Sequence, residues 1–108
     1  MKINEVIGAL KQYVRSQQEY PDSLESMVLF GSFARGDAKV GSDLDIALVT
    51  KDGFSRDDKI AVQSLLDDFN DKLEVSLFCT KREKVETTQD KLNANYWIRK
   101  EGVVIWNR

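Results

Sequence analysis

The sequence predicts an α/β (α+β) fold, a small mixed sheet with helices packed on it. Two observations point there. Apolar residues recur at helical spacing in two separate stretches, and short apolar segments bounded by glycine or polar residues fall between and after them. The resulting order, helix–strand–turn–strand–helix–strand–helix–strand, buries a sheet beneath helices.

Each element has its own signal. Ile3, Val6, Ile7, Leu10, Tyr13 and Val14 share one helical face, which predicts an amphipathic helix from residue 3 to about residue 18, stopped by Pro21-Asp22-Ser23. Leu24 to Phe30 is apolar, short and closed by Gly31, the pattern of a buried strand. Asp43 to Thr50 reads as a second strand, with Leu44, Ile46 and Leu48 on a core face and Asp43, Asp45 and Ala47 on the other. Val62, Leu65, Leu66 and Phe69 predict a helix over 55–70, and Leu73 to Cys79 alternates as a third strand. Lys84 to Lys100 is predicted as one helix, with Arg99 and Lys100 in its last turn and Gly102 beyond it. Val103 to Trp106 is a short final strand, and the aromatics Tyr96, Trp97 and Trp106 are candidates for core or interface.

A length of 108 residues fits a single domain, residues 1–108, able to bury about two-thirds of its unfolded surface. One cysteine, Cys79, excludes an internal disulfide, and the absence of histidine removes the usual zinc ligand sets. The start MKINEVIGALK does not read as a signal peptide and no apolar run is long enough to span a bilayer, so a cytoplasmic protein without membrane association is expected. A net charge of −2 disfavours nucleic acid as a partner. The basic run KREK at 81–84 reads as a solvated helix start. Self-association stays open.

The segment LFGSFARGDAKVGSDLDIALV, residues 29–49, carries the chemistry. Aspartate is a poor strand former, yet Asp43 and Asp45 lie two residues apart on one strand face. Their Cβ atoms are then about 6.5–7 Å apart, close enough for both carboxylates to converge on one ion. At about 5 Å and an effective dielectric of about 20 they repel by roughly 3 kcal/mol, which a divalent cation reverses. Magnesium suits the pair, because it takes oxygen ligands and completes its shell with water and substrate phosphates.

Gly31 and Ser32 supply the other half. Glycine lets a phosphate approach the backbone, and serine at the start of a short helix offers a hydroxyl and amides to an anion. Arg35, one turn later, brings a guanidinium suited to phosphate oxygens. Together they describe a site for a metal–nucleoside triphosphate. For it to form, the end of the first strand must meet the start of the second, which requires antiparallel pairing across the 31–42 connection.

Gly31-Ser32, ten intervening residues and Asp43-Leu44-Asp45 resemble the signature of the polymerase-β-type nucleotidyltransferase superfamily. The fuller string GSFARGDAKVGSDLD, with the ending IRKEGVVIW, resembles its minimal nucleotidyltransferase (MNT) branch. The resemblance implies a nucleotidyltransferase fold, Mg2+, and ATP or another nucleoside triphosphate as substrate. Asp43 and Asp45 would be catalytic and metal-binding residues, and Gly31, Ser32 and Arg35 would bind substrate. It also implies a partner of HEPN type in a toxin–antitoxin pair, whose tyrosine is a candidate acceptor for the nucleoside monophosphate. The superfamily's third carboxylate, on the next core strand, falls at Ser76 in LEVSLF. Glu74 lies on the same face, but its one extra methylene faces a displacement of about 6.5–7 Å, which leaves the general base open. Two functions therefore stand side by side: a transferase, and a weak or inactive antitoxin acting by nucleotide and partner binding alone.

Overall fold

The computed structural model describes residues 2–17 and 19–108. Its elements run α1 (Ile3–Arg15), β1 (Leu24–Phe30), α2 (Gly31–Arg35), β2 (Leu44–Thr50), α3 (Arg56–Asp67), β3 (Val75–Thr80), α4 (Arg82–Thr87), α5 (Ala94–Glu101) and β4 (Val103–Asn107). The four strands form one mixed sheet in the order β3-β2-β1-β4. β1 is antiparallel to both neighbours, and β3 runs parallel to β2, joined by the crossover helix α3 that a parallel pair requires.

One face of the sheet carries the larger core. Leu10 and Val14 of α1 and Val62 and Leu66 of α3 pack with Leu24, Met27, Leu29, Leu44, Ile46, Leu48 and Ile105. The opposite face also buries apolar residues, which corrects the expectation of one core face and one acidic face. Val28, Ala47 and Val49 lie beneath Ile98 of α5, with Phe30, Phe78 and Val85 at the margin. The end of this second face that bears Asp43, Asp45 and Ser76 keeps access to solvent. At the opposite end of β2 and β3, buried polar contacts secure the start of α5: the Thr80 hydroxyl donates to Asn95 Oδ1, and the Thr50 hydroxyl donates to the Thr80 carbonyl at 3.3 Å.

Several boundaries differ from the sequence expectation for local reasons. α1 ends at Arg15, where the Ser16 hydroxyl turns back to the Tyr13 carbonyl at 2.7 Å; position 18 of the expected helix lies outside the described residues. α3 is the core of the 55–70 stretch, opened by a reciprocal capping box between Ser55 and Asp58 and closed before the turn-forming Asn70 and Asp71. β2 begins at Leu44 rather than Asp43, and β3 covers Val75–Thr80 rather than Leu73–Cys79.

The largest correction concerns the single helix expected over 84–100, which is two. α4 stops at Thr87, and Asn93 caps a new start by accepting the Asn95 N–H at 2.9 Å. Arg99 of α5 reaches back and donates to the carbonyls of Val85 and Thr88 at 2.7 and 2.9 Å, so the orphan acceptors at the end of α4 are satisfied across the break. KREK does open a helix as exposed side chains, with Lys81 at the N-cap. Trp106 stacks on Tyr20 beside the core, whereas Trp97 is 37% exposed.

The single turn α2 is held by Phe33, which is 0% exposed in the main core. Five residues cannot sustain a helix alone, so this anchor fixes the turn that follows β1. Phe33→Ala is expected to lower unfolding free energy by about 3–5 kcal/mol, read by urea denaturation.

Candidate active site

β1 ends at Phe30, which pairs with Asp45 of β2. The antiparallel register therefore brings the start of α2 against the first residues of β2, as the motif requires. Gly31 follows immediately with φ of 74°, and a Cβ built there would overlap Asp45 Oδ2 and lie 3.1 Å from Asp45 Cγ. The glycine is needed twice, for its backbone conformation and for the room it leaves to a carboxylate. Ser32 stands in the same turn, and among the described residues its hydroxyl has no hydrogen-bond partner within the protein, while its carbonyl accepts the N–H groups of Gly36 and Asp37, both at 3.0 Å.

Asp43 is exposed and leads into β2 from a turn closed by two bonds between Lys39 and Ser42: the Lys39 N–H donates to Ser42 Oγ at 2.9 Å, and the Ser42 N–H donates to the Lys39 carbonyl at 2.9 Å. Asp45, half-buried, is pushed above the ordinary carboxylate range, first by burial, then by the charge of Asp43, with Arg35 pulling it back down. The pair is thus short of positive charge. Arg35 closes α2 and divides its guanidinium between Asp37, 3.4 Å from Nε, and Glu101 of α5, 3.7 Å from Nη1.

The position that the resemblance gives to a third acid is Ser76. Ser76 of β3 sits directly beside Asp45 in the parallel register, and it is exposed. Glu74 precedes the strand, its carbonyl accepting the Leu44 N–H at 2.8 Å. Among the described residues no three acidic or cysteine side chains converge as a metal cage, so Glu74 does not join Asp43 and Asp45. Two neighbouring carboxylates, Asp43 and Asp45, are a donor set that fits a divalent cation completing its shell with water or other oxygen ligands.

The nucleotidyltransferase domain family matches residues 7–104 of this chain. The chain belongs to that family. Its fold is shared with solved structures. A toxin–antitoxin crystallised with AMP-PNP is 20% identical, with a TM-score of 0.57 over 100% of this chain and 75% of that one. A mutant of the toxin–antitoxin MntA-HpeT is 18% identical, with a TM-score of 0.55 over the same 100% and 75%. No curated protein matches at the level of sequence. In this nucleotidyltransferase domain the motif residues Gly31, Ser32, Arg35, Asp43 and Asp45 meet at one end of the sheet, as their spacing predicts. The contact that spacing did not reveal is Glu101, which lies 66 positions beyond Arg35 (101 − 35) and approaches it only through the packing of α5 on α2.

The raised Asp45 pKa has a calculable sign. When the folded-state value exceeds the unfolded one, the cost of charging the group in the fold is absent at acid pH. It grows as pH rises through the unfolded value toward the folded one and stays constant above it. In metal-free buffer, Asp45→Asn should therefore melt higher than wild type near neutral pH, the difference vanishing well below the ordinary carboxylate range; calorimetric melts across pH check this. Gly31→Ala should lose about 1–3 kcal/mol of stability, because alanine must hold a left-handed backbone while displacing Asp45, and denaturant titration reads the loss.

Proposed function

We propose that this chain transfers a nucleoside monophosphate, AMP from ATP, to a hydroxyl group on a protein partner, and that Asp43 and Asp45 hold the magnesium. The observation that carries the reading is the abutment of Asp45 on Gly31, which joins the acid pair to the phosphate cradle. When bound, magnesium neutralises triphosphate charge and orients the reacting phosphorus. Gly31 leaves space for a phosphate oxygen beside the backbone, Ser32 donates its hydroxyl, and Arg35 offers charged donors to the oxygens. The acceptor oxygen bonds to the α-phosphorus, the bond to the pyrophosphate oxygen breaks, and the acceptor proton leaves to solvent.

A toxin of HEPN type is the partner this reading favours, with a tyrosine hydroxyl as acceptor. Support comes from the MNT-like motif and from the fold shared with toxin–antitoxin structures, one of them crystallised with AMP-PNP. The second reading, an antitoxin that binds nucleotide and partner with little turnover, is favoured by Ser76 beside Asp45. Serine neither ligates magnesium as a carboxylate does nor takes a proton at neutral pH, and loss of general-base help costs a factor of about 10² to 10⁴.

Incubation with labelled ATP, magnesium and co-expressed partner, followed by mass spectrometry of the partner, separates the two readings. Added AMP on the partner, lost in Asp43→Asn/Asp45→Asn, supports transfer; nucleotide binding without adduct supports the antitoxin. Calorimetry should show Mg-ATP affinity lost in the double variant and reduced roughly tenfold or more in Arg35→Ala. Unchanged affinity in the double variant overturns the site. Ser76→Asp adds a carboxylate beside Asp45 and should raise the transfer rate.

A further inference from the structure

The ending IRKEGVVIW has a structural use that the site above leaves unexplained. Glu101 is the last residue of α5, and Gly102 turns the chain directly into β4. A Cβ at Gly102 would overlap the Ile98 carbonyl and lie 2.5 Å from Val28 Cγ1, so the chain passes this point only as glycine. The turn is further tied by the Gly102 N–H donating to the Ile98 carbonyl at 3.0 Å. Glu101 is thereby pinned over α2, and its side chain is 27% exposed. Its Oε2 is buried with no hydrogen-bond partner, and its nearest cationic group is Arg35 Nη1 at 3.7 Å.

A buried carboxylate oxygen without a hydrogen bond is costly, and here the cation beside it is the one the phosphates need. Asp37 takes the Nε edge of the same guanidinium and Glu101 approaches Nη1, which leaves the Nη2 edge uncommitted in these contacts. An arginine bonded on one edge and flanked by a carboxylate on another loses less rotamer freedom on meeting a phosphate than a free one does. Resting on the proposed nucleotide site, we infer that Glu101 is a positioning residue: it fixes Arg35 so that the remaining donors of its guanidinium face the triphosphate.

A substitution at Glu101 separates positioning from simple electrostatics by its sign. Glu101→Gln removes a negative charge near an anion site, so an effect of charge alone would tighten Mg-ATP binding. Loss of positioning weakens it, by about two- to tenfold, the lower part of the range of coupling between contacting residues. The experiment is a double-mutant cycle of Glu101→Gln and Arg35→Ala, with Mg-ATP affinity by calorimetry and melting temperature for each variant. Support consists of weaker binding in Glu101→Gln, no further loss when it is added to Arg35→Ala, and the same weakening in Glu101→Asp, which keeps the charge but shortens the reach. Equal or tighter binding in Glu101→Gln, or losses that add in the double variant, overturn the inference while wild-type binding keeps the site. Wild type that fails to bind Mg-ATP overturns the site itself and the positioning role with it. If Glu101→Gln proves unstable, Glu101→Asp runs the same cycle.

Discussion

The antiparallel pairing of Phe30 with Asp45 is the constraint on which the rest of the molecule depends. It sets where the first strand stops, which residue must be glycine, and how far the second carboxylate lies from the turn. Shifting this register by one residue would turn Asp45 toward the core and Ile46 toward the site, an exchange no apolar core tolerates. The core and the site are therefore specified by the same register. Leu44, Ile46 and Leu48 enforce it from one face, and Ala47 and Val49 enforce it from the other.

Much of this was legible in the sequence. β1 has the predicted bounds, Leu24–Phe30, because apolar burial and a following glycine act locally. The meeting of Gly31 with Asp45 was legible because the connection between them is short enough to leave one geometry. What failed to show depended on partners distant in sequence. Lys84 to Lys100 has the composition of one helix, and only the bonds from Arg99 to the end of α4 reveal two. The second core escaped notice because its sheet residues, Val28, Ala47 and Val49, look like the unremarkable half of an alternating strand until Ile98 covers them. Glu101 carried no signal at all, being one acid among many on a helix end.

The site also pays in stability for its chemistry, in a way that can be located. Asp45 is half-buried beside a second acid, Asp43, and Arg35, the nearby cation, also faces Asp37 and Glu101. With Asp37, Asp43, Asp45 and Glu101 gathered around one arginine, positive charge is scarce at this end of the sheet. In the proposed function, the bound divalent cation would supply the positive charge that this end of the sheet lacks. Ser76, beside Asp45 in the parallel register, adds no further negative charge to the pair.

The placement of β4 carries a consequence for how the molecule comes to exist. β4 is last in sequence yet pairs with β1, and the α5–β4 turn brings Glu101 to Arg35. During synthesis, residues 29–45 leave the ribosome long before the segment that completes their surroundings, and contacts at such separation close slowly. A nascent chain carries the whole motif and no finished cradle. If the proposed function holds, competence toward nucleotide would await arrival of the distal segment.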